Sequence, residues 1–188
     1  MAQGTGTTQA TTWTVDKAHS QVEFGVKHMM FTTVKGQFRD FDATIELDAA
    51  NPNESSVEVT LDTASIDTAV ADRDTHLRSA DFFDVENHPK ITFVSKRVEG
   101  ASFKEGEKFK VIGDLTIRGK TNEIELDATF EGRGKDPWGQ EKSAFTAEGK
   151  IDRHDYGLTW NQGLEAGGVL VGRDIKLWIN AQFVRATE

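Results

Sequence analysis

The sequence has no cysteine among its 188 residues. This absence excludes disulfide bonds, a thiolate nucleophile and cysteine-ligated metal sites. Basic residues are also few, because 22 lysines and arginines stand against 31 acidic residues and give a net charge of -9. Such an acidic chain does not attract nucleic-acid phosphates or anionic lipid headgroups by bulk charge. We therefore expect no nucleic-acid partner.

Long apolar runs are missing as well. No stretch approaches the roughly 18 consecutive apolar residues of a membrane span, so we expect no stable membrane insertion. Residues 1–12 lack the apolar segment of about 7 to 15 residues that a secretory signal needs. We expect them to form a disordered tail, and residues 13–188 to form one domain. The sequence as it stands indicates a cytoplasmic protein, or a periplasmic one if a signal has been removed by processing.

The dominant pattern that is present is the alternation of apolar and polar residues. Residues 21–28 place Phe24 and Val26 in one phase and mostly polar residues in the other, which is typical of a half-buried strand. A slip of phase at Arg39–Asp40 predicts a β-bulge. About eight long runs of this kind, separated by turns, predict an all-β antiparallel sandwich or barrel. We favour an eight-stranded barrel, because long strands suit the tilted wall of a closed sheet.

Residues 68–84, which we call the lid, interrupt this alternation. They combine charges of both signs with an aromatic pair. Asp67 or Thr68 is expected to cap a short helix within Ala69–Ser79, since their side chains accept first-turn amides. Phe82 and Phe83 are expected to turn toward an apolar interior. The lid is therefore predicted to close one end of the barrel.

Two other segments also break the period of two. Met29–Phe31 is a run of three large apolar residues that we expect to form a loop or helical turn whose side chains enter an apolar environment. Residues 152–172 contain Tyr156, Trp160 and several glycines, and are predicted to form a long connection with a short helix. The apolar strand faces include many glycines and alanines, which would leave unfilled volume inside the barrel unless a ligand occupies it.

Short motifs are spread in order along the chain: Trp13-x-Val15-Asp16-x-x-His19-Ser20, Phe24-x-Val26-x-His28-Met29, Gly36-x-Phe38, Thr68, Arg73-Asp74-x-His76-Leu77-Arg78-Ser79-x-Asp81-Phe82-Phe83-Asp84, Pro89-x-Ile91-x-Phe93, Gly113-Asp114-Leu115-Thr116-Ile117-Arg118-Gly119 and Arg153-x-Asp155-Tyr156-Gly157. Together they resemble the YceI family. That resemblance implies a lipocalin-like antiparallel barrel of eight strands with a short helix near one end. It also implies a long hydrophobic tunnel for polyisoprenoid chains, isoprenoid quinones or fatty-acid amides. Many relatives carry signal peptides and are periplasmic, and this chain departs from them there.

Strand phase and side-chain chemistry give the candidate ligand-binding residues. The predicted tunnel wall comprises Phe24, Val26, Met30, Phe38, Phe82, Phe83 and Phe93. A head group would be held by His28, His76 and Arg78, because imidazole and guanidinium donate hydrogen bonds to quinone or phosphate oxygens. Arg73 is a further candidate. In the alternative interpretation, the wall residues form an ordinary core and the charged lid residues neutralise each other as a salt-bridge cluster.

Other classes of function find less support in the sequence. The five histidines have no spacing typical of a metal site, and we predict neither a metal nor a cofactor. Ser20 lies beside His19 but lacks a nucleophile elbow, so we expect Asp16, His19 and Ser20 to tie down the barrel entrance instead.

We predict a non-enzymatic carrier that sequesters a long isoprenoid, such as a polyprenyl phosphate or an isoprenoid quinone, or a fatty-acyl lipid. The main alternative is a solid-cored barrel that serves as a stress-related protein-interaction scaffold, and a metal-dependent enzyme is less favoured. A homodimer is left open; it would have to use side-chain surfaces, because a closed barrel has no free strand edge.

Overall fold

The computed structural model describes residues 10–187, and these residues form eleven strands and one α-helix. Four short 3-10 helices lie at Lys17–His19, Pro52–Glu54, Thr63–Ser65 and Arg153–Tyr156. The strands and the helix are β1 (Thr11–Val15), β2 (Gln21–His28), β3 (Thr32–Phe38), β4 (Phe41–Leu47), β5 (Ser56–Asp62), β6 (Ile66–Asp67), α1 (Ala71–Arg78), β7 (Lys90–Glu99), β8 (Lys108–Ile117), β9 (Lys120–Lys135), β10 (Glu141–Asp152) and β11 (Val171–Arg185).

The sheet closes into an antiparallel barrel of eight strands. Its circuit runs β1, β4, β5, β7, β8, β9, β10, β11 and back to β1, where Trp13 pairs with Arg185 and Val15 with Phe183. The remaining strands extend three of these eight. β2 continues β1 along the same edge of β11. β3 pairs with β2 and leads into β4, and β6 follows β5 and pairs with β3. The predicted eight-stranded barrel is therefore confirmed.

Two interruptions give the wall its bends. β3 and β4 are separated at Arg39–Asp40, where the phase slip predicted a bulge. β1 and β2 are separated by a tight turn in which the Ser20 hydroxyl donates to the carbonyl of Asp16 at 2.7 Å and accepts from the Gln182 backbone N–H at 2.9 Å. Ser20 thus fastens the bend to β11 through the expected side-chain to backbone hydrogen bonds, but the bend lies in the wall between β1 and β2 and not at the predicted barrel entrance.

The two ends of the barrel differ. The lid end carries the turn between β2 and β3, the lid, the 3-10 helix Arg153–Tyr156 and the loop 157–170. The opposite end carries the connections 48–55, 100–107 and 136–140. β3 pairs with β6 only at Gln37 and Phe38, the two residues of β3 farthest from the lid-end turn. The rest of β3 has a strand partner on one side only.

Two details differ from the prediction. β1 begins at Thr11, so Thr11 and Thr12 belong to the barrel and not to the predicted tail, of which residues 1–9 lie outside the described residues. Neither Asp67 nor Thr68 caps α1, because the helix starts at Ala71 and its N-cap is Val70, without a side-chain hydrogen bond. Thr68 instead binds the carboxylate of Asp74, in the first turn of the helix. No helix within residues 10–187 has the length and apolar character needed to cross a membrane.

Candidate ligand-binding cavity

The barrel encloses a cavity of about 300 Å³. Its lining is almost entirely aliphatic and aromatic, and it includes residues of β11 from Val171 at the lid end to Phe183 at the opposite end. At about 3.3 Å per residue, that run corresponds to roughly 40 Å of strand. The cavity is therefore elongated and apolar. This shape suits a long hydrocarbon chain better than a compact polar ligand.

Six of the seven predicted wall residues line this cavity. Three of them make a continuous aromatic contact, because the ring of Phe38 lies 5.7 Å from that of Phe24 and 5.9 Å, edge to face, from that of Phe83. This contact joins β2 and β3 to the lid. The six residues are Phe24, Val26, Phe38, Phe82, Phe83 and Phe93.

Met30 does not line the cavity, so its predicted place in the wall is wrong. Met29, Met30 and Phe31 form the three-residue turn between β2 and β3, and the first two have positive φ angles, of 48° and 65°. This conformation points the run outward, and the exposed fractions reach 63% for Met30 and 79% for Phe31. The run does form a turn, as expected, but its side chains are exposed and do not enter an apolar environment within the protein.

The opposite end of the cavity is closed by phenylalanines that the sequence patterns did not single out. Phe103, in the connection 100–107, lies 6.1 Å from Phe109 and 6.2 Å from Phe145, both edge to face. Phe145 in turn lies 6.0 Å from Phe183. Phe109, Phe145 and Phe183 belong to strands in which apolar and polar residues alternate, so the phase of the alternation could have identified them as cavity residues. Phe103 has a positive φ in a loop, and no periodicity marks it.

At the lid end, an aromatic cluster joins the lid to the loop 157–170. The ring of Trp160 lies 4.7 Å from that of His76 and 5.4 Å from that of Phe82. His76 and Phe82 also meet edge to face at 5.1 Å. Arg118 strengthens this closure by donating to the carbonyls of Phe82 at 3.0 Å and Gly157 at 3.4 Å. The lid is thus held in place by several independent contacts.

The structure places the three predicted head-group residues outside the cavity lining. Arg78 donates to the backbone carbonyls of Ala64 and Ile66, each at 2.8 Å, and so fastens α1 to the end of the wall. His76 pairs with Asp81 at 2.8 Å. His28 ends β2 directly across from Val171. Arg78 and His76 therefore have structural partners already.

The alternative of a lid salt-bridge cluster also differs from the structure. Arg73 donates to the Thr68 hydroxyl at 2.7 Å and to its carbonyl at 2.8 Å, not to a carboxylate. Among the described ion pairs, the lid contributes only that of His76 with Asp81. Hydrogen bonds from arginine to backbone carbonyls, rather than charge pairing, hold the lid.

Arg153 is a cavity residue whose role sequence reasoning missed. It begins the 3-10 helix after β10, lines the cavity, and is only 2% exposed. Its guanidinium donates to the carbonyls of Gly172 at 2.8 Å, Trp160 at 2.9 Å, Val171 at 3.2 Å and Leu158. Burial lowers the pKa of Arg153, but a guanidinium remains charged in proteins. The motif Arg153-x-Asp155-Tyr156-Gly157 was visible, but nothing in it indicated burial.

The Asp16 carboxylate is the most perturbed acid in the barrel wall. Burial alone would raise its pKa, but hydrogen bonds from His19 and Lys142 outweigh burial and lower the pKa to about 2. The His19 and Lys142 nitrogens lie 3.0 and 3.1 Å from its Oδ2 atom. Ser20, beside it, is engaged with backbone groups of Asp16 and Gln182. This arrangement fastens strands together and offers no activated nucleophile.

A metal site is likewise not assembled in the part of the chain that the structure describes. No group of three or more histidine, aspartate or glutamate side chains within residues 10–187 is placed to hold an ion. The cavity itself is lined almost entirely by carbon, and its described lining residues include one basic side chain, that of Arg153, and one acidic side chain, that of Glu23. Such a cavity binds by shape and apolar contact.

Comparison with known proteins agrees with this geometry. A family model described as a YceI-like domain matches residues 13–183, which confirms the resemblance seen in the motifs. The UPF0312 protein SERP2314 of Staphylococcus epidermidis is 40% identical over 174 residues, covering 92% of this chain and 97% of the relative. The UPF0312 protein ECA1782 of Pectobacterium atrosepticum is 38% identical over 187 residues, covering 98% and 92%.

Solved structures share the barrel. The crystal structure of the Campylobacter jejuni YCEI protein is 34% identical, with a TM-score of 0.70 and 100% of both chains covered. Burkholderia cenocepacia BcnA is 26% identical, with a TM-score of 0.77, and the match covers 92% of this chain and 99% of that one. A polyisoprenoid binding domain from Saccharophagus degradans has a TM-score of 0.67 over 93% and 98% of the chains. At 13% identity, it shows a shared fold alone.

Proposed function

We propose that this chain, which belongs to the YceI-like family, is a non-enzymatic carrier that sequesters one long isoprenoid or fatty-acyl lipid inside its barrel. The observation that carries this proposal is the elongated, carbon-lined cavity of about 300 Å³. Proteins normally fill their interiors to the density of organic crystals. An unfilled apolar volume of this size forfeits packing contacts, and a bound chain would restore them.

The energetics favour a lipid without help from a cofactor. Burial of each CH₂-sized unit contributes about 0.8 kcal/mol, so a chain of a dozen carbons gains enough to offset the entropy of its ordering. The similarity in fold to a polyisoprenoid binding domain supports an isoprenoid, such as a polyprenyl phosphate or an isoprenoid quinone, as the first ligand to test. No step of this function requires bond making, which is why we describe the protein as a carrier and not as an enzyme.

The solid-cored scaffold is the alternative that the cavity disfavours. A barrel built only to present its surface gains nothing from an unfilled interior, because cavities cost stability in proportion to their volume. The outward turn at Met29–Phe31 is exposed and would suit a contact surface, but it does not account for the space inside.

The proposal is tested by filling the cavity with a larger side chain. Ala147 of β10 lines the cavity, whereas Ala144, in the opposite phase of the same strand, does not. The Ala147→Phe variant should lose lipid uptake while its melting temperature stays the same or rises. The matched Ala144→Phe variant should bind lipid like the original chain. Uptake is measured by native mass spectrometry after solvent extraction and incubation with polyprenols, quinones and fatty acids.

Two results would overturn the carrier. One is the absence of any co-purifying or added lipid in the original chain under conditions in which the barrel is folded. The other is equal uptake by the original chain and by a folded Ala147→Phe variant, which would place the lipid outside the barrel.

A further inference from the structure

We infer that the lid end of the barrel docks on the surface of a lipid bilayer that contains anionic headgroups, and that the turn between β2 and β3 inserts into this bilayer. The inserting surface, which we call the apolar tip, comprises Met29, Met30, Phe31 and Val169. This inference rests on the proposed carrier function and deepens it, because it names the place where the carrier meets its lipid.

The apolar tip exposes much apolar surface on few residues. The exposed fraction is 39% for Met29, 63% for Met30, 79% for Phe31 and 40% for Val169. At roughly 200 Å² for a fully exposed large side chain, these fractions correspond to about 400 Å² of apolar surface. A contiguous patch of about 300–600 Å² is the largest on a typical monomeric protein and often has a function. We therefore expect a partner to cover the apolar tip.

The apolar tip is one continuous surface on a fixed backbone. The backbone N–H of Met29 donates to the carbonyl of Leu170 at 2.8 Å, which joins the turn to the loop before β11. A Cβ atom at Gly168 would lie 2.6 Å from the Sδ atom of Met30, so the residue before Val169 touches the turn. The turn itself closes the paired strands β2 and β3. The exposed side chains are thus presented together.

Basic side chains stand directly behind the apolar tip. Residues 27–35 include Lys27 and Lys35, both exposed, and no acidic residue. Neither lysine takes part in an ion pair within residues 10–187, and Lys35 lies over the ring of Trp178 at 4.8 Å. Lys27 precedes the turn by two strand residues, about 7 Å, which matches the depth of a headgroup layer. An apolar tip backed by lysine is the pattern of an interfacial membrane contact.

The acidic residues near Lys27 do not cancel this charge. Asp152 and Asp174 share a surface groove with Lys27, but each of them forms an ion pair with another basic residue. Glu165 is the one acidic residue in the loop 157–170. The net charge of -9 is spread over the whole chain, and charges more than about 8 Å away are largely screened at physiological ionic strength. Lys27 therefore meets anionic headgroups with local attraction.

The area and position of the apolar tip favour a bilayer over a protein segment. A stable protein interface buries about 800 Å² on each partner, roughly twice the exposed apolar surface of the tip. A terminal segment of this chain does not start beside the tip. Thr11 pairs with Leu47 and Arg185 with Trp13, so both described chain ends lie at the opposite end of the barrel.

The apolar tip also lies beside the cavity. Val26, which precedes the turn, and Val171, which follows the loop, both line the cavity at the lid end. Long hydrocarbon chains leave water for apolar surroundings, so a carrier of such chains collects them from a bilayer and returns them there. Docking at the apolar tip brings the lid end of the cavity to the bilayer surface.

The first measurement follows the apolar tip itself. Because the chain has no cysteine, Phe31→Cys provides a single attachment point for a nitrobenzoxadiazole label. With vesicles of equal parts phosphatidylcholine and phosphatidylglycerol, the emission of this label should rise and shift to shorter wavelength. The control is Trp138→Cys, because Trp138 is 85% exposed in the turn at the opposite end, and its label should not respond. Equal responses at the two positions would overturn docking through the apolar tip.

The second measurement is the partition coefficient onto these vesicles, obtained by flotation. Met30→Asn combined with Phe31→Ser should lower it by about 10- to 100-fold, because most of the inserted apolar surface is removed. Asparagine is chosen because it tolerates the positive φ angle of Met30. Both side chains are exposed, so the melting temperature should not change. The matched variant Trp138→Ser should bind like the original chain.

The anionic headgroups are tested with Lys27→Gln. This variant should bind the mixed vesicles about 5-fold more weakly than the original chain, and should bind pure phosphatidylcholine vesicles equally well. Equal binding of Lys27→Gln and the original chain to the mixed vesicles would overturn the role of anionic headgroups.

The vesicles contain no polyprenol, quinone or free fatty acid, so docking and carrying are scored separately. Vesicle binding without uptake of any of these lipids would retain docking and overturn the carrier. Uptake from detergent solution without vesicle binding would retain the carrier and overturn docking. Docking is also overturned if the double variant binds vesicles as tightly as the original chain. The same holds if sedimentation shows that the apolar tip joins two copies of the chain in place of binding vesicles.

Discussion

The carboxylate of Asp74 accepts a hydrogen bond from the backbone N–H of Thr68 at 2.9 Å, and a second one from the Thr68 hydroxyl. Both residues are buried, with Asp74 only 7% exposed. One aspartate of α1 therefore holds the strand that precedes the helix. This contact takes the place of an N-cap, because Val70 has no side chain able to cap.

The Asp74→Ala variant should destabilise the lid by about 1–3 kcal/mol, because it leaves the buried N–H and hydroxyl of Thr68 without an acceptor. Amide exchange should speed up through α1 and less through the rest of the barrel. Asp72→Ala, in the same turn but exposed, is the control and should change little. Equal effects of the two substitutions would mean that helix charge, not the Thr68 contact, holds the lid.

Phe82 and Phe83 should respond differently to truncation. Phe82 is 7% exposed and contacts both His76 and Trp160, so Phe82→Ala should lower the free energy of unfolding by about 3–5 kcal/mol. Phe83 is half-buried and contacts Phe38 across the cavity wall, so its truncation should cost less stability and speed lipid release more.

Urea unfolding and transfer of lipid to acceptor vesicles measure these two effects. Trp138→Ala, in the exposed turn at the opposite end, should alter neither quantity. If Phe82→Ala and Phe83→Ala cost equal stability and leave lipid release unchanged, both rings belong to the core alone.

Asp16 makes the free energy of unfolding depend on pH in the acid range. Its pKa is about 2 in the folded chain against a usual 3.8. The carboxylate therefore contributes stability that is complete above 3.8 and is lost as the pH falls through 2. Asp16→Asn should lower the free energy of unfolding at neutral pH by about 1–2 kcal/mol, with partial exposure to solvent keeping the loss modest.

In urea unfolding measured at a series of pH values, the difference between Asp16→Asn and the original chain should shrink as the pH falls from 3.8 and vanish below about 2. Asp42→Asn removes a largely exposed partner of Lys17 and should show almost no difference at any pH. A difference for Asp16→Asn that persists unchanged at the acid end would show that packing, not ionisation, is lost.

Tyr156 is the only tyrosine, so its ionisation can be followed directly by ultraviolet absorbance. Burial raises the pKa of Tyr156 to about 12 from the ordinary 10.0. The folded barrel favours the protonated phenol, and the stability from this preference is complete below 10 and lost as the pH rises through 12. In urea, the phenol should titrate near its ordinary value. A titration near 10 in the folded chain would contradict the burial of this residue.

The barrel could be predicted from the sequence because it depends on a local pattern. The bounds of β2, Gln21–His28, coincide with the predicted run, and the slip at Arg39–Asp40 marks the break between β3 and β4. Both follow from which side of a sheet each residue faces. Inward residues such as Phe24 and Phe93 were found in the same way.

The contacts of the arginines near the lid end could not be predicted in this manner. Arg78 and Arg153 look alike in the sequence, each lying in a polar segment, but Arg78 donates to the carbonyls of Ala64 and Ile66 whereas Arg153 lines the cavity. Their partners are fixed by how the lid and the loop 157–170 fold back onto the barrel. Met30 was misplaced because hydrophobicity does not reveal the backbone angles of a tight turn.

The short pairing between β3 and β6 has a consequence for how a lipid would enter. Thr32–Gly36 are hydrogen-bonded to β2 alone, and no backbone hydrogen bond among the described residues joins them to the lid. At Gly36 the wall is closed by side chains, since a Cβ atom there would lie 2.8 Å from the Cγ2 atom of Thr68. If Thr32–Gly36 and the lid moved apart, apolar side chains would be exposed while the hydrogen bonds of the sheet stayed intact. A long chain could then enter broadside along its length, instead of threading end-on past the aromatic rings of the lid.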